Sequence, residues 1–371
     1  MPGDGAPGSA PASAVLTVDL AALRANWTSL RDLAAAAECG ACVKGDGYGL
    51  GLERCAPALW EAGCCTFFVA THEDGQKLRR RLPRAVIYVL NGLMPGLASL
   101  YAAHDLRPAL ASLEEIAEWA AARPAGKAAL HVDTGINRLG LAAGDVEALA
   151  GDPARLAGVD VALVMSHLAY ADEPERPGNE VQRRLFDALR ARLPSAPASL
   201  ANSPGIFLGS SFHYDLVRPG VALYGGNPIA GRANPMRPVV HLEAAILQVR
   251  AVERGASVGY GGVWTAGRDS RIGVIGVGYR DGLLRSLAAR PGDAPAHVLV
   301  GGVRAPIVGR VSMDLITVDL TDVPPVAARR GGRAELIGAH ITVDDVARAA
   351  GTIAYEILTG LGSRFARVYI G

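Results

Sequence analysis

The sequence predicts an α/β protein: a (β/α)8 TIM barrel followed by a C-terminal, mostly antiparallel β domain. Three observations predict it. The 371 residues are half hydrophobic and only 20% charged, enough for a large barrel plus a second domain. Between about residues 14 and 235, short apolar runs alternate with stretches of helical period. Beyond that point the text changes to alternating runs spaced by Gly-rich turns.

Taken in order, residues 1–13 are rich in Gly, Pro, Ala and Ser and read as a disordered tail. They carry neither the basic nor the apolar region of a signal peptide. Residues 14–18 are strand-like, precede a helix capped by Asp19, and can join either domain. Eight apolar runs follow: 41–44, 66–70, 86–90, 106–110, 128–132, 161–166, 198–201 and 216–218. Amphipathic stretches such as 52–62, 113–121 and 180–193 lie between them. Apolar strands separated by helices indicate a parallel sheet, and eight of them favour a closed barrel over a doubly wound sheet. The barrel is expected over 14–235 and the β domain over 236–371, joined by a Gly-, Pro- and Asn-rich linker near 225–238. In the second domain the strand-like runs are 244–252, 271–277, 297–299, 316–320 and 334–337, and a helix is expected over 343–350.

The formal net charge is +1 with both signs interleaved, so no basic stripe points to nucleic acid or an anionic membrane. No run of about 18 uncharged apolar residues suggests a membrane span. Five cysteines, all within the first 65 residues, match neither a secreted disulfide framework nor zinc-ligand spacing. Reduced core thiols in a cytoplasmic protein, without a metal, are expected. The partner is then a small molecule.

Lys44 ends the first apolar run and is followed by Gly45-Asp46-Gly47-Tyr48-Gly49. Barrel active sites lie at the C-terminal ends of the strands, so Lys44 belongs at the mouth. Dehydration there would lower its pKa and free the amine for a Schiff base. By position alone, a rim lysine paired with a carboxylate fits as well. Asn202-Ser203-Pro204-Gly205 and Arg218-Pro219-Gly220-Val221 follow strands seven and eight, where barrels commonly bind phosphate. Ser203 offers a hydroxyl and Gly220 close backbone approach, although ordinary turn chemistry would also use these residues.

Nine stretches, in order across both domains, carry a resemblance: VKGDGYGLG (43–51), HVDTGINRLG (131–140), MSHLAYADE (165–173), ANSPG (201–205), VRPGVALYG (217–225), SVGYGG (257–262), GVGYRDG (276–282), VGRVSMD (308–314) and YEILTGL (355–361). From about residue 14 to the C-terminus the chain resembles the alanine racemase family, which uses pyridoxal 5'-phosphate (PLP). The resemblance implies that Lys44 carries PLP and acts as one catalytic base, with Tyr279 the base on the opposite face. It implies that Tyr48, Ser203, Tyr355 and the amides of Gly220 and Val221 hold the phosphate. Arg218 would donate to the pyridine nitrogen, supported by His167, with Asn202 in the same cofactor-binding set. Arg138 would approach the phenolic oxygen and the substrate. The Met313 amide would bind the substrate carboxylate with Asp314 alongside. A head-to-tail homodimer with composite sites is implied, as is a small amino-acid substrate. Alanine is favoured, with serine or a broader range as the alternative.

The chemistry of that set is coherent. Racemisation removes an α-proton from one face and returns one to the other, so two bases must flank the carbon. Tyrosine, with an ordinary pKa of about 10, needs neighbouring cations before it serves as a base near neutral pH. An arginine cannot give up its proton to the pyridine, which weakens the electron sink and disfavours transamination. A PLP-dependent decarboxylase of this architecture would generally lack the Gly-Tyr-x-Asp-Gly motif. A non-catalytic PLP carrier would lack the β domain, and a barrel enzyme for a phosphorylated substrate would bind no PLP.

Two departures stand out. His131 occupies the place where the family usually has a lysine that becomes carbamylated and orients the arginine corresponding to Arg138. No carbamate is expected here, so Arg138 needs another anion. Gly45 and Gly47 replace the usual alanines, at an expected cost in loop rigidity.

Overall fold

The computed structural model describes residues 12–122, 126–288 and 295–371. It divides into two compact units: Leu20–Arg237, and the N-terminal residues through Asp19 together with Pro238–Gly371. Of the expected disordered tail, residues 1–11 lie outside the described residues. Ser13 accepts a hydrogen bond from the Ala245 amide (2.7 Å).

The first strand corrects the expected domain boundary. β1 (Ala14–Asp19) pairs with strands of the second unit, so the barrel begins at Leu20 rather than at residue 14. The reason is its burial pattern: Ala14, Leu16 and Val18 are buried and alternate with half-exposed residues. That alternation suits a sheet with one wet face, whereas barrel strands are covered on both sides.

The barrel strands are β2 (Glu38–Cys39), β3 (Ala41–Cys42), β4 (Thr66–Val69), β5 (Val86–Val89), β6 (Leu106–Leu110), β7 (Lys127–His131), β8 (Asp160–Met165), β9 (Ala198–Ser199) and β10 (Leu216–Val217). Seven of them, β3 to β9, form one parallel sheet in chain order. β2 and β3 are one strand interrupted at Gly40, where a side chain would press on Thr66 O (3.0 Å) and the Phe68 ring (3.1 Å). The eighth run is the short β10, parallel to β2. On its two sides the Gly40 amide donates to Val217 O (3.0 Å) and the Arg218 amide to Ala201 O (2.9 Å). The loops after strands one, seven and eight thereby become neighbours. Outside, helices such as Leu20–Ala34 bury one stripe, here Leu23, Trp27, Leu30 and Ala34.

The second unit is built on β11 (Val240–Val252), which is long enough to serve several neighbours. The others are β12 (Ser257–Val258), β13 (Trp264–Thr265), β14 (Ser270–Ile275), β15 (His297–Val300), β16 (Val303–Val308), β17 (Ile316–Asp319), β18 (Arg333–Ile337) and β19 (Ala366–Ile370). The main sheet runs β14-β17-β16-β15-β18-β11-β1-β19, and β14 also pairs with β11, which closes six strands into a barrel-like ring. A bulge between Ile246 and Gln248 helps β11 turn this corner. The expected helix is present at Val343–Ala350, and a second follows at Ala354–Gly360. Among the described residues, no helix is long and apolar enough to cross a membrane.

Candidate active site

Lys44 follows β3, as its place in the sequence predicts, and opens an unusual turn. Gly45, Asp46 and Gly47 have φ of 62°, 55° and 62°, with Tyr48 (54°) and Gly49 (80°) continuing the run. A left-handed turn costs roughly 1–2 kcal/mol at each residue carrying a Cβ. The two glycines therefore remove strain where alanines would add it. The Asp46 carboxylate accepts the Leu52 amide (2.9 Å), tying the turn to the helix Leu52–Glu61. The turn carries the Tyr48 ring inward, where it is buried and stacked on Tyr224 (centroids 4.6 Å apart, planes at 22°). Tyr224 donates in turn to Cys42 O (3.0 Å).

Tyr48 ends against the strand-eight loop. A Cβ on Gly220 would overlap the Tyr48 hydroxyl and lie 2.9 Å from its Cζ, so only glycine leaves room there. From the strand-seven loop, Ser203 is buried and its oxygen accepts the amides of Gly220 (2.7 Å) and Ala222 (3.3 Å). With its lone pairs so engaged, the Ser203 O–H is left to donate elsewhere. Among the described residues no hydrogen bond uses the Val221 amide. Two hydroxyls and a spare amide thus converge around a residue without a side chain, which is donor chemistry suited to a phosphate.

Deeper in the barrel, Arg218 is buried. Its Nη1 donates to the Ser199 hydroxyl, and its Nη2 donates to Ser166 O (2.6 Å) and Leu200 O (3.5 Å). The Ser199 hydroxyl donates in turn to Leu216 O (2.5 Å). These partners are all neutral oxygens, and burial pulls the guanidinium down to about 10, still protonated at neutral pH. Burial also holds the His167 imidazole well below its ordinary range, helped by Arg218, Lys44, Arg138 and His131. Asn202 explains which form is present. Its oxygen accepts the Gly205 amide (3.1 Å), so its nitrogen faces Leu168 O (3.3 Å) and His167 Nε2 (3.4 Å). An amide donor requires an acceptor, so His167 Nε2 is unprotonated. Gln182, on the helix Gly178–Arg190, supports this region by donating to His167 O (3.0 Å) and to the Thr134 hydroxyl (3.2 Å).

His131, at the end of β7, is buried, and neither ring nitrogen has a partner among the described residues. Burial first, then Arg218, with Arg138 adding and Asp133 opposing, pulls its imidazole down to about 4. It is neutral at physiological pH. Arg138 itself is exposed and forms no ion pair among the described residues. Asp133, a carboxylate of the same loop, accepts the amides of Gly135 (2.9 Å), Ile136 (3.0 Å) and Asn137 (3.1 Å). That carboxylate shapes the loop and does not hold the arginine.

The second unit presents its own group. Tyr279 lies in a one-turn helix, Tyr279–Asp281, and is 43% exposed. Its amide donates to Ser312 O and that of Arg280 to Met313 O, both at 3.0 Å. Met313 is 54% exposed, and among the described residues no hydrogen bond uses its amide. Asp314 accepts from Arg364 (2.6 Å), and Tyr355 is partly exposed on the helix Ala354–Gly360.

Two family profiles match the chain, described as "Alanine racemase, N-terminal domain" over residues 18–228 and "Alanine racemase, C-terminal domain" over residues 239–369. The chain belongs to the alanine racemase family. An alanine racemase of Methylobacterium sp. (strain 4-46) is 52% identical over 98% of this chain and 99% of its own. A catabolic alanine racemase of Mesorhizobium japonicum is 48% identical over 98% and 94%. The crystal structure of the Bartonella henselae alanine racemase, with covalently bound pyridoxal phosphate, superposes with a TM-score of 0.92. Its sequence is 39% identical, covering 97% of this chain and 100% of that one.

Within this alanine racemase family fold, the structure brings together Lys44, Tyr48, His167, Asn202, Ser203, Arg218, Gly220 and Val221 at one end of the barrel unit. Tyr279, Met313, Asp314 and Tyr355 stand on the β unit. Sequence reasoning missed Ser199, Tyr224, Gln182 and Arg364, which support residues it named. Ser199 lies in the seventh apolar run as its polar exception, which was the available signal. The thiols are free; Cys65 is exposed, unlike the other four, and so is not a core thiol.

Proposed function

We propose that this chain is a PLP-dependent alanine racemase that interconverts L- and D-alanine with Lys44 and Tyr279 as its two bases. Arg218 is the observation that carries the reading. A buried arginine with only neutral oxygens for partners sits in the barrel whose mouth carries a strand-end lysine and a phosphate-donor cup. The residues present fit the cofactor.

PLP, when bound, delocalises the electron pair left on the α-carbon. The Ser203 and Tyr48 hydroxyls and the Gly220 and Val221 amides hold its phosphate, with Tyr355 adding a phenol. Arg218 donates to the pyridine nitrogen and keeps its own proton. His167, neutral and fixed by Asn202, lies beside that arginine. Lys44 would hold the aldehyde carbon until the substrate amine displaces it, and its freed amine would then take the α-proton on one face while the Tyr279 phenol returns one on the other, the roles exchanging for the opposite enantiomer. Arg138 faces the phenolic oxygen and the substrate. The Met313 amide takes the substrate carboxylate, with Asp314 beside it.

Tyr279 and Met313 serve the partner's barrel in a head-to-tail homodimer. Their exposure in the isolated chain leaves both open to a partner. Tyr355 and the Met313 loop keep the substrate side chain short, which favours alanine over serine. Free thiols at all five cysteines suit a cytoplasmic enzyme.

The test is incubation of the PLP-loaded protein with L-alanine in deuterated water. Appearance of D-alanine carrying an α-deuteron is expected. Release of carbon dioxide would instead make the chain a decarboxylase.

A further inference from the structure

We propose that Arg364 is a positioning residue that joins the Tyr279 loop to the Met313 loop and sets the catalytic phenol against the substrate carboxylate. The inference rests on the roles proposed above for Tyr279 and Met313. Its basis is a three-armed ion pair. Arg364 Nε and Nη2 donate to the two oxygens of Asp281 (2.6 and 2.7 Å), and Nη1 donates to Asp314 Oδ1 (2.6 Å). Asp281 lies two residues after Tyr279 and Asp314 directly follows Met313, so one guanidinium spans both loops.

The two ends differ in kind. The Asp281 side chain is only 4% exposed and also accepts the Gly278 amide (3.0 Å), closing the turn that carries Tyr279. Arg364 holds this carboxyl below its ordinary range despite burial. The Asp314 side chain is 51% exposed, so its bond fixes geometry more than it adds stability. The surrounding backbone has no slack. A Cβ on Gly278 would overlap the carbonyls of Ser312 and Met313, and the Gly362 amide donates to Asp281 O (3.0 Å). A bidentate fork with a third arm is arginine geometry that lysine cannot copy.

The experiment uses the holoenzyme with Arg364→Lys and, because that variant strains a buried carboxylate, Asp314→Ala, which removes only the acceptor of the exposed arm. For each enantiomer of alanine one measures KM and, at saturation in deuterated water, the initial rate of α-hydrogen exchange. KM should rise for both enantiomers through the Met313 loop. Exchange of the hydrogen served by Tyr279 should fall about tenfold or more, as expected for a base displaced by a fraction of an ångström. Exchange served by Lys44, which belongs to the other unit and is not displaced by either variant, should stay within about twofold. Equal losses for both hydrogens, or no change in either variant, would overturn the proposal. Tyr279→Phe measured alongside separates the two levels. If that variant exchanges both hydrogens as the parent does, the Tyr279 assignment itself fails. If it is lopsided and the Arg364 and Asp314 variants are not, only the role of Arg364 is lost.

Discussion

Replacing His131 with leucine removes the two buried ring nitrogens that have no partner and adds nothing polar. Near neutral pH the change should therefore be neutral or stabilising, by up to about 3 kcal/mol, because an unsatisfied buried donor or acceptor carries its full desolvation cost. Acid should separate the two proteins. The His131 imidazole titrates near 4 in the folded chain against 6.5 ordinarily. Below about pH 6.5 the unfolded chain binds this proton and the folded one does not, so the unfolded state gains stability as pH falls. The loss develops from about pH 6.5 and is complete near the folded value, reaching about 2.5 kcal/mol at about pH 4.5. Urea unfolding of parent and His131→Leu at about pH 7.5 and about pH 4.5 reads this contribution, with its coupling to His167 and Asp133, as a double difference, since the carboxylates away from the site contribute alike to both. The parent should lose about 2.5 kcal/mol more than the variant across that interval. Parallel losses would mean instead that His131 is charged or hydrogen-bonded in the folded protein.

Other perturbations have equally definite outcomes. Gly220→Ala puts a methyl group where the Tyr48 hydroxyl sits, and Tyr48 is pinned by its stack on Tyr224. Equilibrium dialysis should show PLP affinity reduced by about tenfold or more, matching an overpacking cost of roughly 1–3 kcal/mol, and unchanged affinity would remove Gly220 from the phosphate cup. Ser199→Ala strips a neutral acceptor from buried Arg218 and should cost about 1–3 kcal/mol in denaturant unfolding. His131→Lys would place an amine in a dehydrated, cationic surrounding that keeps it unprotonated and able to add carbon dioxide, releasing a proton. Intact mass in bicarbonate should show a carbamate on that variant and none on the parent.

The parts of this site legible in the sequence were those set by strand order. Lys44, Ser203 and Gly220 follow the first, seventh and eighth apolar runs, and barrel geometry alone sends all three loops to one end. The membership of β1 was not legible from order, although its alternation of buried and half-exposed positions is a β-domain pattern. The left-handed run at 45–49 was half legible: Gly45 and Gly47 hinted at it, but Asp46 and Tyr48 carry a Cβ and share the same φ sign. His131 was visible as a departure, whereas its unpartnered nitrogens depend on what the barrel leaves around it. Arg364 was invisible because its carboxylate partners lie 83 and 50 residues away along the chain, beyond any local spacing rule.

A crystal structure of the chain with PLP and the phosphonate analogue of alanine tests the two-base arrangement most directly. The Lys44 amine and a Tyr279 phenol should lie on opposite faces of the bound α-carbon, each within about 3 Å or one water of it. Both groups on one face, or Tyr279 far from the ligand in every subunit, would contradict it.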